Sequence, residues 1–344
     1  MLLRQTTRRF TAAAAVDAQL RAVTARLPAA GAALRAQGFY VVDDAVPPAL
    51  AHALRDEIAA LHTADRLYPN ATHVYAKGEA APLLLEKTRI YETELLTVEA
   101  QYGHLQRWFE NAALRTALND ALPTLRADRH MIKVQYNQGG GGCFPMHFDT
   151  YGDDGKCLTA VLYLNEVWQP GDGGEIVMYP FPYAPTIIAP TSGRLVLFSS
   201  QRMLHRVLPS AKPRFCLTTW MYRDASLNRA PPPVASTSGD AYVRMMAKLC
   251  ASPFRAHLAK LFYADEWRAS LEQSHAATPA FAAYLKSFDR EMATIAAATA
   301  QMLANFAMKD TDGAVPATPA ALLARIRADF QSGGIDRRDL VAWF

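Results

Sequence analysis

Hydrophobic positions recur at helical spacing in the first part of the chain. Leu20, Val23, Leu27 and Leu34 fall at i, i+3/i+4 and i+7 intervals, which predicts helix over Val16–Ala36. Pro28 interrupts that stretch, so two short helices are expected. Gly38 ends it, and Phe39–Val42 reads as a short strand. Pro47 and Pro48 open a further helix, Ala49–His62, with Leu50, Leu54, Ile58 and Leu61 on one face. Residues 64–99 are less regular and read as loop-rich, with one strand at Thr88–Tyr91. Helical spacing returns over Tyr102–Leu122.

From His130 the period changes. Strands are predicted at Met131–Tyr136, Leu158–Leu164, Ile176–Tyr179, Thr186–Ile188, Arg194–Phe198, Arg206–Leu208 and Phe215–Met221. Asn137–Gly142 is a glycine-rich loop, and Gly171–Gly174 and Thr191–Gly193 supply turns. Short strands in this rhythm predict a sandwich or barrel, with a jelly roll as one candidate. Pro231-Pro232-Pro233 and the small residues after it mark a linker. Beyond Asp240 the chain is Ala-rich and helical, with breaks near Pro253, Pro279 and 310–319. Within it, Leu258–Leu271 reads as a helix with Phe262 and Trp267 on a core face. The expected architecture is therefore α+β: a helical support region at 13–125, a β core at 126–225, a linker at 226–239 and a C-terminal helical extension at 240–344.

Composition adds limits. Hydrophobic residues make up 51% and charged residues 20%, enough for a sizeable core. No apolar run approaches the roughly 18 residues of a membrane span. The net charge is +4, and Arg4, Arg8 and Arg9 carry most of it, so the body of the chain is near neutral and gives no support for a nucleic-acid partner. The four cysteines show no CxxC spacing, so a reducing compartment is expected rather than a disulfide scaffold. Residues 1–12 are rich in Arg, Thr, Leu and Ala, with no acid before Asp17. That is the composition of a mitochondrial presequence, and Arg8-Arg9-Phe10 resembles a processing site; a frayed basic terminus on a cytoplasmic protein is the alternative.

Candidate chemistry centres on His147-Phe148-Asp149. On a strand, positions i and i+2 point to one face, and His205, beyond the strand ending near Phe198, can supply a third ligand. Two imidazoles and one carboxylate on one face of an octahedron suit Fe(II) and leave three positions open. An H-x-D pair is weak by itself. Two further residues add weight. Arg214, nine residues after His205, is suited to clamp a dicarboxylate. Tyr163, sixteen after His147, offers a phenolic donor to the same carboxylate. Taken singly, Arg214 reads as a surface cation and Tyr163 as core packing. A zinc hydrolase using the same three ligands is a rival that gives neither residue a role. A non-enzymatic jelly-roll module is a second rival. The remaining histidines, His62 among them, read as surface or packing residues, and Cys143 as a small packed residue.

The segment Val134–Tyr222 resembles the catalytic domain of 2-oxoglutarate/Fe(II)-dependent dioxygenases of the prolyl 4-hydroxylase type, the oxygen-sensing prolyl hydroxylases above all. The likeness is carried by HFD at 147–149, TAVLYLNEVW at 159–168 with GGEI at 173–176, GRLVLF at 193–198 and HRVLPSAKPRFCLTTW at 205–220. QGFYVVDDAVPPALAHALRDEIAALH at 37–62 resembles the helical support before such a domain, so the likeness spans about residues 20–222. It implies a double-stranded β-helix (jelly-roll) core and Fe(2+) held by His147, Asp149 and His205. Tyr163 and Arg214 would hold the distal carboxylate of 2-oxoglutarate, Tyr136 would line the pocket and Trp220 would sit near the cosubstrate. L-ascorbate is expected as reductant. The implied reaction is O2-dependent hydroxylation of an unactivated C–H bond, of a peptidyl proline in a protein or peptide substrate, releasing succinate and CO2. The same chemistry on a small molecule is the alternative, because the glycine-rich loop Asn137–Pro145 and the helices after 238 depart from the family pattern.

Overall fold

The computed structural model describes residues 14, 16–74, 83–95, 97–99, 101–150, 154–228, 241–308, 313–332 and 340–344. The presequence candidate and nearly all of the linker lie outside them.

Two antiparallel sheets form the core. The larger has seven strands in the order β1-β9-β6-β11-β4-β3-β2. Its members are β1 (Phe39–Val42), β2 (Tyr68–Val74), β3 (Leu83–Leu95), β4 (Arg129–Asn137), β6 (Lys156–Tyr163), β9 (Leu195–Ser199) and β11 (Arg214–Tyr222). The smaller has the order β5-β10-β7-β8, from β5 (Gly142–His147), β7 (Ile176–Tyr179), β8 (Thr186–Ile188) and β10 (Leu204–Ser210). This is the double-stranded β-helix expected from the sequence.

The large sheet is covered on both faces. Leu158, Ala160 and Leu162 of β6 pack with Leu54, Trp108 and other helical residues of the N-terminal region. Val161 and Tyr163 face the small sheet and share a core with Met146, Phe198 and the C-terminal helices. Burial on both faces is why β6 reads as a nearly unbroken apolar run instead of an alternating one.

The N-terminal helices are α1 (16–24), α2 (Pro28–Gln37), α3 (Pro48–Thr63), α4 (Gly103–Glu110) and α5 (Ala113–Ala121). The break expected at Pro28 is present. The single helical stretch expected over Tyr102–Leu122 is instead two helices. Asn111 parts them, its Oδ1 accepting the Ala113 N–H at 2.8 Å. The loop expected over 64–99 is corrected more substantially, because β2 and β3 form a hairpin and β3 pairs along β4. Charged Glu86, Arg89, Glu92 and Glu94 punctuate β3 at the sheet margin and mask the strand pattern.

C-terminal to the barrel lie α6 (Ala241–Ala251), α7 (Phe254–Phe262), α8 (Ala264–Ser274), α9 (Pro279–Ala307) and α10 (Pro319–Ile326). The helix expected over Leu258–Leu271 breaks at Tyr263, although Phe262 and Trp267 are buried as anticipated. Thr278 and Thr318 cap α9 and α10, each followed by proline at the first helical position. Among the described residues no helix is long and apolar enough to cross a membrane, and all four cysteines are free and buried.

The last residues close the structure onto its start. Trp343 is buried against Gly38, whose φ of 80° is left-handed. A Cβ at Gly38 would lie 2.4 Å from the Trp343 ring. Gly38→Ala should therefore cost about 2 kcal/mol or more, combining left-handed strain with overpacking. A urea-unfolding midpoint indistinguishable from wild type would contradict this.

Candidate metal centre

β5 and β10 are neighbours in the small sheet, and their register places His147 directly opposite His205. The two rings lie 4.3 Å apart between centroids. Asp149 is not on the strand, as its i+2 spacing had implied. β5 ends at His147, and Asp149 lies in the following bend, held by its N–H bonding to the Ser200 carbonyl at 3.2 Å. The side chains converge nonetheless. Asp149 Oδ1 is 3.7 Å from Nε2 of each histidine, and no two of the three ligand atoms are more than 4.8 Å apart.

The protein fixes which atoms face inward. His147 Nδ1 lies 2.8 Å from the Pro145 carbonyl and His205 Nδ1 lies 3.1 Å from the Met203 carbonyl. A carbonyl only accepts, so each Nδ1 carries a hydrogen and each Nε2 is the nitrogen turned toward Asp149. Burial, with His205 adding to it, pushes the His147 imidazole down to about 3, so it is neutral near pH 7. Burial opposes the charge on Asp149, but His205, His147 and the Thr159 hydroxyl outweigh it and hold the carboxyl below its usual value. Asp149 Oδ2 accepts from Thr159 and from Trp220 Nε1, the latter at 3.3 Å. This leaves Oδ1 turned toward the histidines. The resulting set is two imidazole nitrogens and one carboxylate oxygen, a hard facial donor set.

Arg214 lines the same small cavity of about 70 Å³ as the three ligands. It is 3% exposed. Its Nη1 has only weak contacts, 3.5 Å to Gln135 Oε1 and 3.7 Å to Cys216 Sγ, and its Nε has no partner. Tyr163 does not reach the cavity wall. It lies under the guanidinium, 5.0 Å from ring centroid to Cζ, with its hydroxyl buried and unpaired. Burial pushes that phenol up to about 12 against the pull of Arg214, so it remains a donor.

One expectation changes. Tyr136 does not line the cavity. It stacks on Phe215 at 4.6 Å and packs tilted against His62 at 4.7 Å, on the helix-covered face. Strand parity is the reason: Lys133 and Gln135 face the cavity from β4, so Tyr136 points the other way. Trp220 borders the cavity, and its ring N–H is committed to Asp149, with Lys156 Nζ 4.0 Å from the ring centroid. Sequence reasoning missed Thr159 and Gln135. Thr159, Val161 and Tyr163 share a strand face, which would have placed Thr159 beside the site.

Residues 132–222 match the sequence model of the 2OG-Fe(II) oxygenase superfamily. This segment is a 2OG-Fe(II) oxygenase domain. It is similar in sequence to prolyl hydroxylases. The hypoxia-inducible factor prolyl hydroxylase of Caenorhabditis elegans is 40% identical over 91 residues, 26% of this chain and 12% of that protein. Prolyl hydroxylase EGLN3 of Homo sapiens is 33% identical over 99 residues, 28% of this chain and 41% of that protein. The matched stretch thus spans less than half the length of either relative. A crystal structure of a prolyl 4-hydroxylase from Phytophthora capsici aligns with a TM-score of 0.70 and 26% identity, over 90% of this chain and 95% of that one. Coverage on that scale takes in much of the C-terminal helical region, which the sequence resemblance had left without a counterpart.

The oxygenase family implies Fe(II) and 2-oxoglutarate, and the residues fit both. The donor set suits a ferrous ion, and the unpaired Arg214 and Tyr163 donors suit a carboxylate. Thr159→Val should weaken Mn(II) binding, read by titration, about 10–100-fold, the usual cost of losing a partner that orients a ligand. Unchanged Mn(II) affinity would remove Thr159 from this role.

Proposed function

We propose that the chain is a 2-oxoglutarate- and O2-dependent dioxygenase that hydroxylates a peptidyl proline. The observation that carries this reading is the meeting, in one cavity, of the His147–Asp149–His205 donor set with a buried arginine that has no carboxylate partner among the described residues. A zinc hydrolase would leave that cation buried and idle, and so would a binding module.

When bound, Fe(II) and 2-oxoglutarate supply the redox chemistry that couples O2 reduction to decarboxylation and C–H hydroxylation, giving succinate and CO2. The chain's residues set the conditions. Nε2 of His147, Nε2 of His205 and Oδ1 of Asp149 hold the metal. Thr159 and Trp220 donate to Asp149 Oδ2, which leaves Oδ1 as the oxygen that would meet the metal. Arg214 would donate to the distal carboxylate of 2-oxoglutarate, with the Tyr163 hydroxyl supporting it. Gln135, itself anchored by donating to Glu92 at 2.9 Å, orients the guanidinium. Val161, Ile176 and Phe198 line the cavity and exclude water. L-ascorbate is the expected reductant for keeping the iron ferrous.

Proline as the target is supported by the relatives, whose names are those of prolyl hydroxylases. The test incubates purified protein with Fe(II), 2-oxoglutarate, ascorbate and proline-containing peptides. The expected result is one succinate released for each peptide that gains the mass of one oxygen. Succinate release no higher than in the metal-free blank would sink the dioxygenase reading. Oxygen gained only by a small-molecule pool would sink the peptidyl-proline part.

A further inference from the structure

A second cavity, of about 440 Å³, lies between the barrel and the C-terminal helices. Phe148, the residue between the two ligands of the HFD motif, lines it together with Trp267 from α8 and Ala256 from α7. The Phe148 and Trp267 rings are 6.4 Å apart. Charge in its wall is unbalanced. Arg202, Arg255 and Lys260 meet a single acid, Glu291, which already pairs with Lys260 at 2.6 Å. Arg255 gives its N–H groups to the carbonyls of Phe181, at 2.6 and 3.0 Å, and of Arg202, at 2.9 Å. Those carbonyls satisfy its geometry without neutralising its charge. Arg202 has no carboxylate partner among the described residues. Burial and the neighbouring Arg223 push its guanidinium down to about 10, the direction expected of a cation lacking a counter-ion. The cavity therefore offers an aromatic wall and one uncommitted cation.

We infer that this cavity binds a small organic anion with an apolar body, and that its occupancy is transmitted to the metal centre. Two routes lead there. Phe148 sits between His147 and Asp149 in the chain. Ser200, next to Gln201 and Arg202 in the turn, accepts the Asp149 N–H at 3.2 Å and bonds Thr159 through its hydroxyl at 2.8 Å. Size, apolar lining and a few convergent polar groups are what small-molecule sites share.

Benzoate is the probe, with benzamide as its neutral counterpart and inorganic phosphate as an anion without an apolar body. Calorimetric titration should show benzoate binding about tenfold or more tighter than either, as one charge-assisted bond is worth about 10–100-fold. Arg202→Gln should weaken benzoate about tenfold or more, and Ala256→Phe, filling the cavity from α7, should abolish binding. Binding should persist in Arg214→Met, which separates this cavity from the metal cavity. Saturating benzoate should shift Mn(II) affinity at least about threefold. Benzamide binding as tightly as benzoate would overturn the anion site. So would benzoate binding that is lost in Arg214→Met but kept in Arg202→Gln and Ala256→Phe. Unchanged Mn(II) affinity would overturn the coupling. The coupling arm rests on the proposed metal centre, whereas the binding arm does not, so failure of one is distinguishable from failure of the other.

Discussion

Asp149→Ala is expected to bind Mn(II) at least about a hundredfold more weakly than wild type and to release no 2-oxoglutarate-dependent succinate above background. The magnitude follows from the geometry. Partners that merely orient a ligand commonly cost 10–100-fold, and Asp149 is the only charged member of the donor set. Its Oδ1 stands 3.7 Å from both imidazole nitrogens, so its loss leaves two imidazole donors and no face to complete. Folding should survive. Asp149 is held by Thr159, Trp220 and its own backbone N–H, and both histidine nitrogens stand 3.7 Å from it, beyond hydrogen-bond reach. Circular dichroism should show wild-type melting within a few degrees while the Mn(II) isotherm collapses. Retained Mn(II) affinity would mean that the metal lies elsewhere. Lost Mn(II) affinity with retained succinate release would separate the metal site from the proposed chemistry.

The site could be read from the sequence where its residues form one-dimensional patterns. The H-x-D pair, the later histidine and the arginine nine residues beyond it all reach one cavity. A strand covered on both faces was also legible, because burial leaves an apolar run whatever the partner: Ile176–Tyr179 is buried throughout and matches its expected bounds. What escaped was information carried by parity and by partners. Tyr136 and Gln135 are adjacent, and only strand registration decides which of them faces the cavity, since a one-residue slip inverts both. β3 carries charges that suit a sheet margin and β2 holds Pro69 and Asn70, so nothing local distinguishes them from loop until β4 pairs with β3. The C-terminal helices were visible as helices. That they enclose Phe148, directly behind two of the ligands, depends on packing that no local period encodes.

Arg214→Met provides the sharper test of the cosubstrate, because two quantities should move in opposite directions. Loss of one partner from a buried charge pair costs about 2–5 kcal/mol of binding, so 2-oxoglutarate affinity measured with Mn(II) present should fall by about 30-fold to several thousandfold. Stability of the ligand-free protein should rise. Arg214 is a buried cation without a carboxylate partner, and its contacts to Gln135 and Cys216 are long. Methionine is of similar length and requires no counter-charge. Gln135 Oε1 keeps the Cys216 thiol as a donor at 3.3 Å, so the substitution leaves that acceptor paired. Replacing buried charge with a packed apolar side chain commonly stabilises by about 1–4 kcal/mol, and a gain of about 1 kcal/mol or more should appear in the urea midpoint. Such a trade is characteristic of a group retained for ligand binding at a cost to the fold. A variant that is less stable, yet binds 2-oxoglutarate within about threefold of wild type, would make Arg214 a structural cation and leave the metal centre without its assigned cosubstrate.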